Sequence, residues 1–565
     1  MVPSTFKWVS LALLAGALNA LAAAPASAQG TVRRHLVYFR DKAGTPFSVA
    51  QPQAFLSARA LARRGRQGIA VLPRDLPVNP AYVAQVRAVS GGPQVLYTSR
   101  WFNAAVVSCD SLTLGRIMAL PKVSRASTLN RTARVPKPFI APTQLPEAAP
   151  QGALATRAQY GPAYRQNQQI GALAMHDAGF RGDGMQIAVF DAGFPGADQV
   201  PALQPLFLEQ RLASTRNFVD GGTSVYGRSD HGTNCLSTMA ANQPGFFIGT
   251  APKATFHLCI TEDVYSEHPV EEANWLAAAE YADSVGVDVI SSSLGYTDFD
   301  VPSISYTYAD LTGRNAISSR AATMAARVGM LVVSAAGNEG NRTWHYISAP
   351  ADADSIMTVG AVDSLGNHAV FSSYGPTADG RIKPTLSAMG QATAVISPNG
   401  GAFRGNGTSF ACPVLAGMAA GFWQANPTLT AQQVIVALRS TATRAVNPDN
   451  TLGYGIPNFV AAYNALHPSA PLDTVSPAAN AAGALGIYPN PTGNGLLTLV
   501  LPAVLRGQPL RVRVLDARGA VVVQRQLPAA VGEEAPLHLG QLAKGSYTCE
   551  VSAGSTRRTV KFVQQ

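Results

Sequence analysis

The sequence predicts an α/β fold: a doubly wound, mainly parallel sheet with helices on both faces, preceded by a small α+β domain and followed by a small β-sandwich. Short apolar strands alternate with longer helices between residues 187 and 442, which is typical of right-handed crossovers in a parallel sheet. The segments on either side differ from this region in charge, proline content and periodicity. We therefore expect five parts, at residues 1–28, 29–150, 151–466, 467–484 and 485–565.

The composition is that of a globular protein. Of the 565 residues, 47 % are hydrophobic and only 13 % are charged, against about 25 % charged in an average protein. Only the extreme N-terminus approaches the ~20 consecutive apolar residues of a membrane-spanning helix. This pattern argues against an integral membrane protein.

The net charge of +10 is unevenly distributed. Residues 29–150 contain 17 Lys and Arg against 4 Asp and Glu, whereas residues 151–468 contain 16 against 24. Opposite charge on neighbouring domains predicts that they dock on each other. The largest domain is acidic, so we expect no nucleic-acid partner.

The N-terminus has the features of a secretory signal peptide. Lys7 precedes an apolar run from Trp8 to Ala24, and Ala26 and Ala28 form a small-residue cleavage site. We expect cleavage after Ala28 and an extracytoplasmic location, where disulfides can form. The five cysteines are widely spaced and odd in number, without zinc-ligand spacing. Most of them should be buried, and a Cys235–Cys259 disulfide is left open.

Residues 31–130 are predicted to form the small α+β unit. Asn79 followed by Pro80 is typical of a helix start. Five prolines between Pro136 and Pro150 exclude a helix or a central strand, so this stretch is interpreted as a linker. The predicted elements are strands His35–Phe39, Val95–Thr98 and Ala104–Cys109, and helices Ala54–Arg64, Asn79–Val89 and Leu112–Leu120.

The large domain and the C-terminal domain differ in the period of their hydrophobic residues. In a parallel sheet, functional residues gather at the carboxyl ends of the strands. The large domain's predicted strands are Ile187–Phe190, Thr255–Ile260, Asp288–Ser291, Met330–Ser334 and Ile356–Ala361, and its helices include Val270–Val285, Ala316–Val328, Ser409–Ala425 and Thr430–Ala442. The last eighty residues have a period of two, with predicted strands Leu496–Leu501, Leu510–Leu515, Val521–Gln526, Tyr547–Val551 and Thr559–Val563.

Three polar residues stand at element junctions of the large domain. Asp191 ends a strand, His231 opens an apolar run, and Ser409 lies between a glycine-rich loop and a helix. Singly, each could be a cap or a turn residue. Together, a hydroxyl, a base and a carboxylate are what nucleophilic acyl transfer requires, and Asp–His–Ser is a known chain order for that set. Acyl transfer also needs donors to the oxyanion. The loop at Asn338, which singly could be a simple turn or a weak anion loop, lies after a strand and between His231 and Ser409 in the chain.

At this point the sequence resembles the subtilase family of serine peptidases, over about residues 160–466. The matching motifs are DAGF at Asp191, HGTN at His231, SSSLGY from Ser291, AAGNEG at Asn338 and GTSFACP at Ser409. The distant alternative of a nucleotide-binding α/β protein lacks its glycine-rich signature.

The resemblance implies a role for each matched residue. Ser409 would be the nucleophile, His231 the general base and Asp191 the group that orients it. The Asn338 amide and the Ser409 N–H would bind the oxyanion. Three residues would form the extended segment that pairs with substrate, namely Ser293, Leu294 and Gly295. No cofactor would be required, and calcium would be at most a structural ion.

The sequence departs from the family at two positions. Ala192 stands where the family usually has Thr or Ser, which predicts one hydrogen bond fewer around the Asp191 carboxylate. Asn234 stands where the family often has a second, non-catalytic His. Neither change affects a residue of the expected triad.

An acidic stretch, residues 261–272, precedes a predicted helix. Its carboxylates are Glu262, Asp263, Glu267, Glu271 and Glu272. Three interpretations stay open: an acidic wall that favours basic substrate residues upstream of the scissile bond, charges that complement a helix N-terminus, or calcium ligands.

Both flanking domains also resemble known ones. The basic α+β unit resembles a subtilase inhibitory propeptide. The C-terminal segment, with its YPNP motif at Tyr488, resembles the sorting domain of type IX secretion substrates. An accessory binding module is the alternative for the C-terminal segment.

The prediction is a secreted or cell-surface serine endopeptidase, made as a self-inhibited precursor. Its expected partners are protein or peptide substrates, its own propeptide and the outer-membrane secretion machinery, and a monomer is the default expectation. The alternative is a catalytically silent surface binding protein on a subtilase scaffold. Cleavage preference and the maturation site are left open by the sequence.

Overall fold

The computed structural model describes residues 31–130, 159–472, 485–488, 492, 495–529 and 534–564. The predicted signal peptide, the proline-rich linker and most of the predicted 467–484 linker lie outside these residues. Within them, no helix has the length and apolarity needed to cross a membrane.

The N-terminal unit is a four-stranded antiparallel sheet with two helices, Pro80–Arg87 and Ser111–Met118, on one face. Its first helix begins at Ala58, four residues later than predicted, because the Ser57 hydroxyl accepts the N–H of Ala60 at 3.1 Å. The sequence missed the fourth strand, an edge strand in which polar residues predominate. In spatial order the strands are Gln94–Ser99, Ala104–Cys109, Arg33–Phe39 and Val123–Thr128. The helices are Ala58–Arg66, Pro80–Arg87 and Ser111–Met118.

The central domain is built on a seven-stranded sheet in which every neighbouring pair is parallel. The predicted fold class is confirmed. In spatial order the strands are Leu386–Met389, Met357–Val362, Leu331–Ala335, Val289–Ser292, Gln186–Asp191, Thr255–Ile260 and Leu212–Asn217. The first strand in the chain, Gln186–Asp191, lies inside the sheet, so successive crossovers run away from it in both directions. Ligand sites of open α/β sheets lie at the carboxyl end of such a switch point.

Helices cover both faces of this sheet, because alternate residues of each strand point to opposite sides. Ile187 and Val189 belong to one core, and Ala188 and Phe190 to the other. The first core is closed by helices His231–Ala240 and Thr408–Ala425, and the second by helices Val270–Val285 and Ile317–Arg327. The longer of the remaining helices are Ala431–Ser440 and Phe459–Leu466.

The N-terminal sheet packs its free face against the central domain. Leu36 and Val106 from this sheet share an apolar cluster with Val270, Ala273 and Ile317. The N-terminal unit therefore lies across the helices Val270–Val285 and Ile317–Arg327.

The C-terminal domain consists of a three-stranded and a four-stranded antiparallel sheet that share one apolar core. The five strands predicted from period two are present, and the sequence missed Gly486–Tyr488 and Glu534–His538. In spatial order the strands are Gly486–Tyr488, Leu496–Val500 and Glu534–His538 in one sheet, and Val521–Leu527, Leu510–Leu515, Gly545–Ala553 and Thr556–Gln564 in the other.

All five cysteines are buried and unpaired, as the composition suggested for most of them. Cys235 and Cys259 are free thiols, so the structure does not contain the disulfide that the sequence left open.

Candidate active site

Asp191 is the last residue of the strand Gln186–Asp191, at the switch point of the sheet. Its side chain is fully buried, and Oδ1 accepts the backbone N–H of Ala192 at 2.7 Å. The same oxygen lies 2.8 Å from Nδ1 of His231. A buried carboxylate thus fixes the orientation of the imidazole.

His231 is the first residue of the helix His231–Ala240, and its backbone N–H donates to the Ser229 hydroxyl at 3.2 Å. This helix start lies so close to the Asp191 loop that a Cβ on Gly232 would come within 2.2 Å of the Gly193 carbonyl oxygen. Glycine at position 232 is therefore what allows His231 to reach Asp191. Burial alone would lower the pKa of His231, but the charge and hydrogen bond of Asp191 together with the contacts of Cys235 outweigh it and hold the pKa well above 6.5.

Ser409 lies in the first turn of the helix Thr408–Ala425, and 8 % of its surface is exposed. Its hydroxyl donates to the carbonyl oxygen of Ser293 at 3.4 Å. Cys235 lies between the two helix starts: its Sγ donates to the Ser409 carbonyl at 3.3 Å and is 3.8 Å from Nδ1 of His231. Ser409 and His231 thus both contact the Cys235 thiol. The Ser409 hydroxyl points to Ser293 and not to the imidazole.

Pro413 explains why the Ser409 carbonyl is available to Cys235 and Ser293. Proline has no N–H, so it cannot make the usual helical hydrogen bond to the carbonyl four residues earlier, which is that of Ser409. The freed carbonyl oxygen accepts the hydroxyl of Ser293 at 2.7 Å and the thiol of Cys235. The helix start is thereby joined both to the substrate segment predicted from the sequence and to the helix of His231.

Asn338 lies in the loop after strand Leu331–Ala335 and faces the same helix start. Its Oδ1 accepts the backbone N–H of Thr408 at 2.9 Å and the Thr408 hydroxyl at 3.0 Å. Because Oδ1 is used in these two bonds, the amide nitrogen is the end of the side chain that remains for a ligand. Sequence reasoning missed Thr408 as the residue that orients Asn338, although it directly precedes Ser409 in the GTS motif.

The segment Ser293–Gly295 follows the strand Val289–Ser292 at the same edge of the sheet. Ser293 and Leu294 are buried, and Gly295 is exposed. A Cβ at Gly295 would come within 2.2 Å of the Ser348 hydroxyl. A side chain at this position would therefore force the Ser348 hydroxyl to rotate away and its Cβ, 3.1 Å distant, to shift slightly.

Comparison with known proteins assigns this arrangement to a family. Subtilisin Savinase from Lederbergia lenta is 31 % identical over 295 residues, which is 52 % of this chain and 96 % of that relative. Subtilisin from Bacillus pumilus is 31 % identical over 279 residues, which is 49 % of this chain and 90 % of that relative. This chain belongs to the subtilase family.

The family models agree with this assignment. The model of the subtilase family matches residues 182–455 of this subtilase, a range that contains Asp191, His231, Asn338 and Ser409. A model of the peptidase S8 propeptide domain of Bacteroidota matches residues 34–139, and a secretion system C-terminal sorting domain matches residues 486–565. The predicted family and both flanking domain types are confirmed.

Other relatives are longer than the matched region. Subtilisin E from Bacillus subtilis strain 168 is 32 % identical over 279 residues, 49 % of this chain, and the match spans 65 % of that relative's length.

One oxygen of the Asp191 carboxylate in this subtilase accepts no hydrogen bond from the residues that the structure describes. This oxygen, Oδ2, is buried. The Ser or Thr that the family usually carries after this Asp would bring a hydroxyl to this region, and Ala192 brings none. The loss of one hydrogen bond, predicted from the sequence, matches this unpartnered oxygen.

The acidic stretch does not form an exposed wall. Glu271 and Glu272 are fully buried. Glu271 accepts the backbone N–H groups of Asp263 and His268 at 2.9 and 3.0 Å, and Glu272 accepts the Ser318 hydroxyl at 2.7 Å. At these two positions the acidic-wall interpretation is wrong, because their charges are directed into the protein around the start of helix Val270–Val285.

A cation could be placed in this stretch on chemical grounds. Glu262, Glu267 and Glu271 each offer a carboxylate oxygen within 4.8 Å of the others. Calcium binds such oxygens, but it needs six to eight ligands, and both Glu271 oxygens already accept backbone N–H groups. Calcium as a structural ion therefore stays a prediction.

Proposed function

We propose that this subtilase is a serine endopeptidase that hydrolyses peptide bonds through an acyl-enzyme. The observation that carries the proposal is the 2.8 Å contact between Asp191 and His231 at the switch point of the sheet, beside a serine in the first turn of a buried helix. Side chains and one backbone N–H supply the nucleophile, base and oxyanion donors, so the proposed chemistry needs no cofactor.

In the first step Ser409 would attack the scissile carbonyl while His231 takes the hydroxyl proton. Asp191 stabilises the imidazolium that forms, without being protonated itself. His231 would then give the proton to the leaving amine, and a water molecule activated by the same imidazole would hydrolyse the ester. Ser409 must turn its hydroxyl from Ser293 toward His231 for this step, which requires rotation about a single side-chain bond.

The negative charge of the tetrahedral intermediate would be met by two donors. One is the amide nitrogen of Asn338, whose orientation is fixed by Thr408, and the other is the backbone N–H of Ser409 at a helix N-terminus. Donors that are oriented before the reaction stabilise the transition state without further rearrangement.

The substrate would bind as an added strand along Ser293, Leu294 and Gly295. The fixed position of Ser293 supports this role, because its hydroxyl and its carbonyl both contact Ser409. The bond from the Ser293 hydroxyl to the Ser409 carbonyl would then position substrate and nucleophile relative to each other, also after the Ser409 hydroxyl has turned to His231.

We further propose that residues 29–150 are an inhibitory propeptide with its linker, that residues 151–466 form the peptidase domain, and that residues 485–565 direct the chain to the outer-membrane secretion machinery. The expected location is outside the cell or on its surface, after removal of residues 1–28 as a signal peptide. The proposed partners are protein or peptide substrates and the chain's own propeptide.

Covalent labelling tests the proposed chemistry. The matured protein is treated with a fluorophosphonate probe, and the label is mapped by peptide mass spectrometry. Ser409→Ala, freed of residues 29–150 by added active protein, is the matched control. We expect label on Ser409 and none in the variant. A folded, propeptide-free protein that takes no label would contradict the proposal and favour a silent binding protein on a subtilase scaffold.

A further inference from the structure

One carboxylate of the central domain is surrounded by arginines of the N-terminal unit. Asp283, in the last turn of helix Val270–Val285, is fully buried. Its carboxylate accepts hydrogen bonds from Arg63, from Arg64 at 2.7 Å and from Arg100 at 2.5 Å. All of the side-chain partners that the structure gives Asp283 thus come from the N-terminal unit.

The arginines are as deeply buried as the carboxylate. Arg63 and Arg64 have side chains 0 % and 1 % exposed, and that of Arg100 is 9 % exposed. Burial alone would raise the pKa of Asp283, but the three guanidinium groups outweigh it and lower that pKa. A buried charge is tolerated only when it is paired, so Asp283 depends on the N-terminal unit for its pairing. Arg63 and Arg100 depend on Asp283 in turn, whereas Arg64 is also paired with Asp75 of its own unit.

The neighbouring carboxylate makes backbone contacts to the same unit. Glu280, one turn before Asp283, accepts the Ser99 hydroxyl at 2.5 Å and the backbone N–H groups of Arg100 and Trp101 at 2.8 and 3.1 Å. Backbone N–H groups are offered by almost any chain, whereas three arginine side chains directed at one point depend on a particular sequence. Selectivity for a partner should therefore lie with Asp283 rather than with Glu280.

This cluster is distant from the catalytic residues. Asp283 lies five residues before Asp288, whose N–H donates to the carbonyl of Gln186 at the amino end of the central strand. Asp191 lies at the other end of that strand, about 16 Å further along at ~3.3 Å per residue. A change at Asp283 can therefore alter the docking of the N-terminal unit without touching the triad.

We propose that Asp283 is an arginine-recognition site through which the peptidase domain selects its own propeptide, by accepting Arg63, Arg64 and Arg100 at one buried carboxylate. This inference rests on the proposed role of residues 29–150 as a propeptide. The contact with Asp283 would make the binding of that propeptide specific. A partner without arginines at these three positions would leave the carboxylate buried and uncompensated.

The test uses the full-length chain with Ser409→Ala, in which the proposed self-cleavage is blocked. Amide hydrogen exchange is followed in the helix Ala58–Arg66 and, as an internal reference, in the strand Gln186–Asp191. We expect Asp283→Asn to speed exchange in the helix about a hundredfold, since removing one partner of a buried ion pair is strongly destabilising, and to leave the strand protected. Asp352→Asn removes a buried carboxylate with no propeptide partner and should leave the helix unchanged.

A second variant keeps the test decisive if Asp283→Asn does not fold. Arg100→Met changes only the N-terminal unit and should also speed exchange in the helix. In the double variant the change in the free energy of opening should be smaller than the sum of the two single changes, because both substitutions remove the same interaction. Unchanged exchange in Arg100→Met, or strictly additive effects, would overturn the proposal. No catalytic readout is involved, so this result is independent of whether Ser409 is a nucleophile.

Discussion

Ser293 and Ser409 exchange hydrogen bonds: the Ser293 hydroxyl donates to the Ser409 carbonyl at 2.7 Å, and the Ser409 hydroxyl donates to the Ser293 carbonyl at 3.4 Å. The first bond exists because Pro413 leaves the Ser409 carbonyl without a helical donor. The nucleophile and the substrate segment are thus held against each other by a pair of contacts that involves both main chains.

Ser293→Ala should separate these two elements. The variant leaves the Ser409 carbonyl with the weak thiol donor of Cys235, so we expect a loss of about 1–2 kcal/mol in the free energy of unfolding and a fall in kcat/KM of about tenfold. Denaturant unfolding of the Ser409→Ala precursor, with and without Ser293→Ala, measures the first effect. Ser397→Ala, which removes an exposed hydroxyl, is the control, and an equal loss in both variants would contradict the prediction.

The pH dependence of activity should follow the imidazole. His231 acts as a base only when neutral. Asp191 and Cys235 together outweigh burial and hold its pKa well above 6.5, so kcat/KM should rise with pH on a limb that lies above pH 6.5. Asp191→Asn removes the charge that raises this pKa. We expect that limb to move to lower pH and kcat to fall by about 10⁴-fold. A limb that stays in place in Asp191→Asn would mean that another group titrates.

Asn338→Ala should remove one oxyanion donor while sparing substrate binding. The expected loss is about 10²–10³-fold in kcat with KM nearly unchanged. Thr408→Val, which keeps the backbone N–H but removes the hydroxyl that bonds Asn338 Oδ1, should lower kcat by a smaller factor. Steady-state kinetics on one peptide substrate compares the variants, and a loss confined to KM would assign Asn338 to substrate binding instead.

Glu262, whose carboxylate accepts the Tyr296 hydroxyl at 3.2 Å, should make stability fall as the pH rises. Burial raises the pKa of Glu262 to about 7, against about 4.3 in an unfolded chain. Between these two values the folded protein holds a proton that the unfolded chain has lost, so stability decreases as the pH rises through this window. In the Ser409→Ala precursor, Glu262→Gln should therefore raise the Tm more at pH 8 than at pH 5.

Two controls accompany that experiment. Asp354→Asn, a change at an exposed carboxylate, should give the same shift of Tm at both pH values. Calcium added at pH 8 tests the ion-binding interpretation: a rise of Tm in the parent that Glu262→Gln lacks would mean that the cluster binds the cation.

The sequence was most informative where chemistry and secondary structure meet. Asp191, His231 and Ser409 each lie where a strand ends or a helix begins. The order of their motifs along the chain was enough to predict that they form one site. The sequence was least informative at the sheet edges. Strand Leu212–Asn217 has half-exposed polar residues, so no apolar period marks it, and strand Leu386–Met389 has only four residues.

The acidic stretch shows why contacts between distant segments escape such reasoning. Nothing in the sequence around Glu272 indicates that Ser318 and Tyr306, more than thirty residues later, accommodate its carboxylate. The same holds for Asp283, which appears as an ordinary helix residue until Arg63 and Arg100 are placed beside it. Local pattern identifies a charged residue, and only the fold identifies its partner.

The position of the N-terminal sheet across helices Val270–Val285 and Ile317–Arg327 has a kinetic consequence. The strand Val289–Ser292 lies between these helices in the chain, and all pairings in the central sheet are parallel and join distant residues. Chains dominated by such pairings fold slowly, because long loops must close before any contact compensates for the lost entropy. A surface that binds the helices of two successive crossovers supplies part of this order in advance. We expect residues 31–130 to act as a template that speeds refolding of the central domain, and then to be dispensable once the sheet has closed.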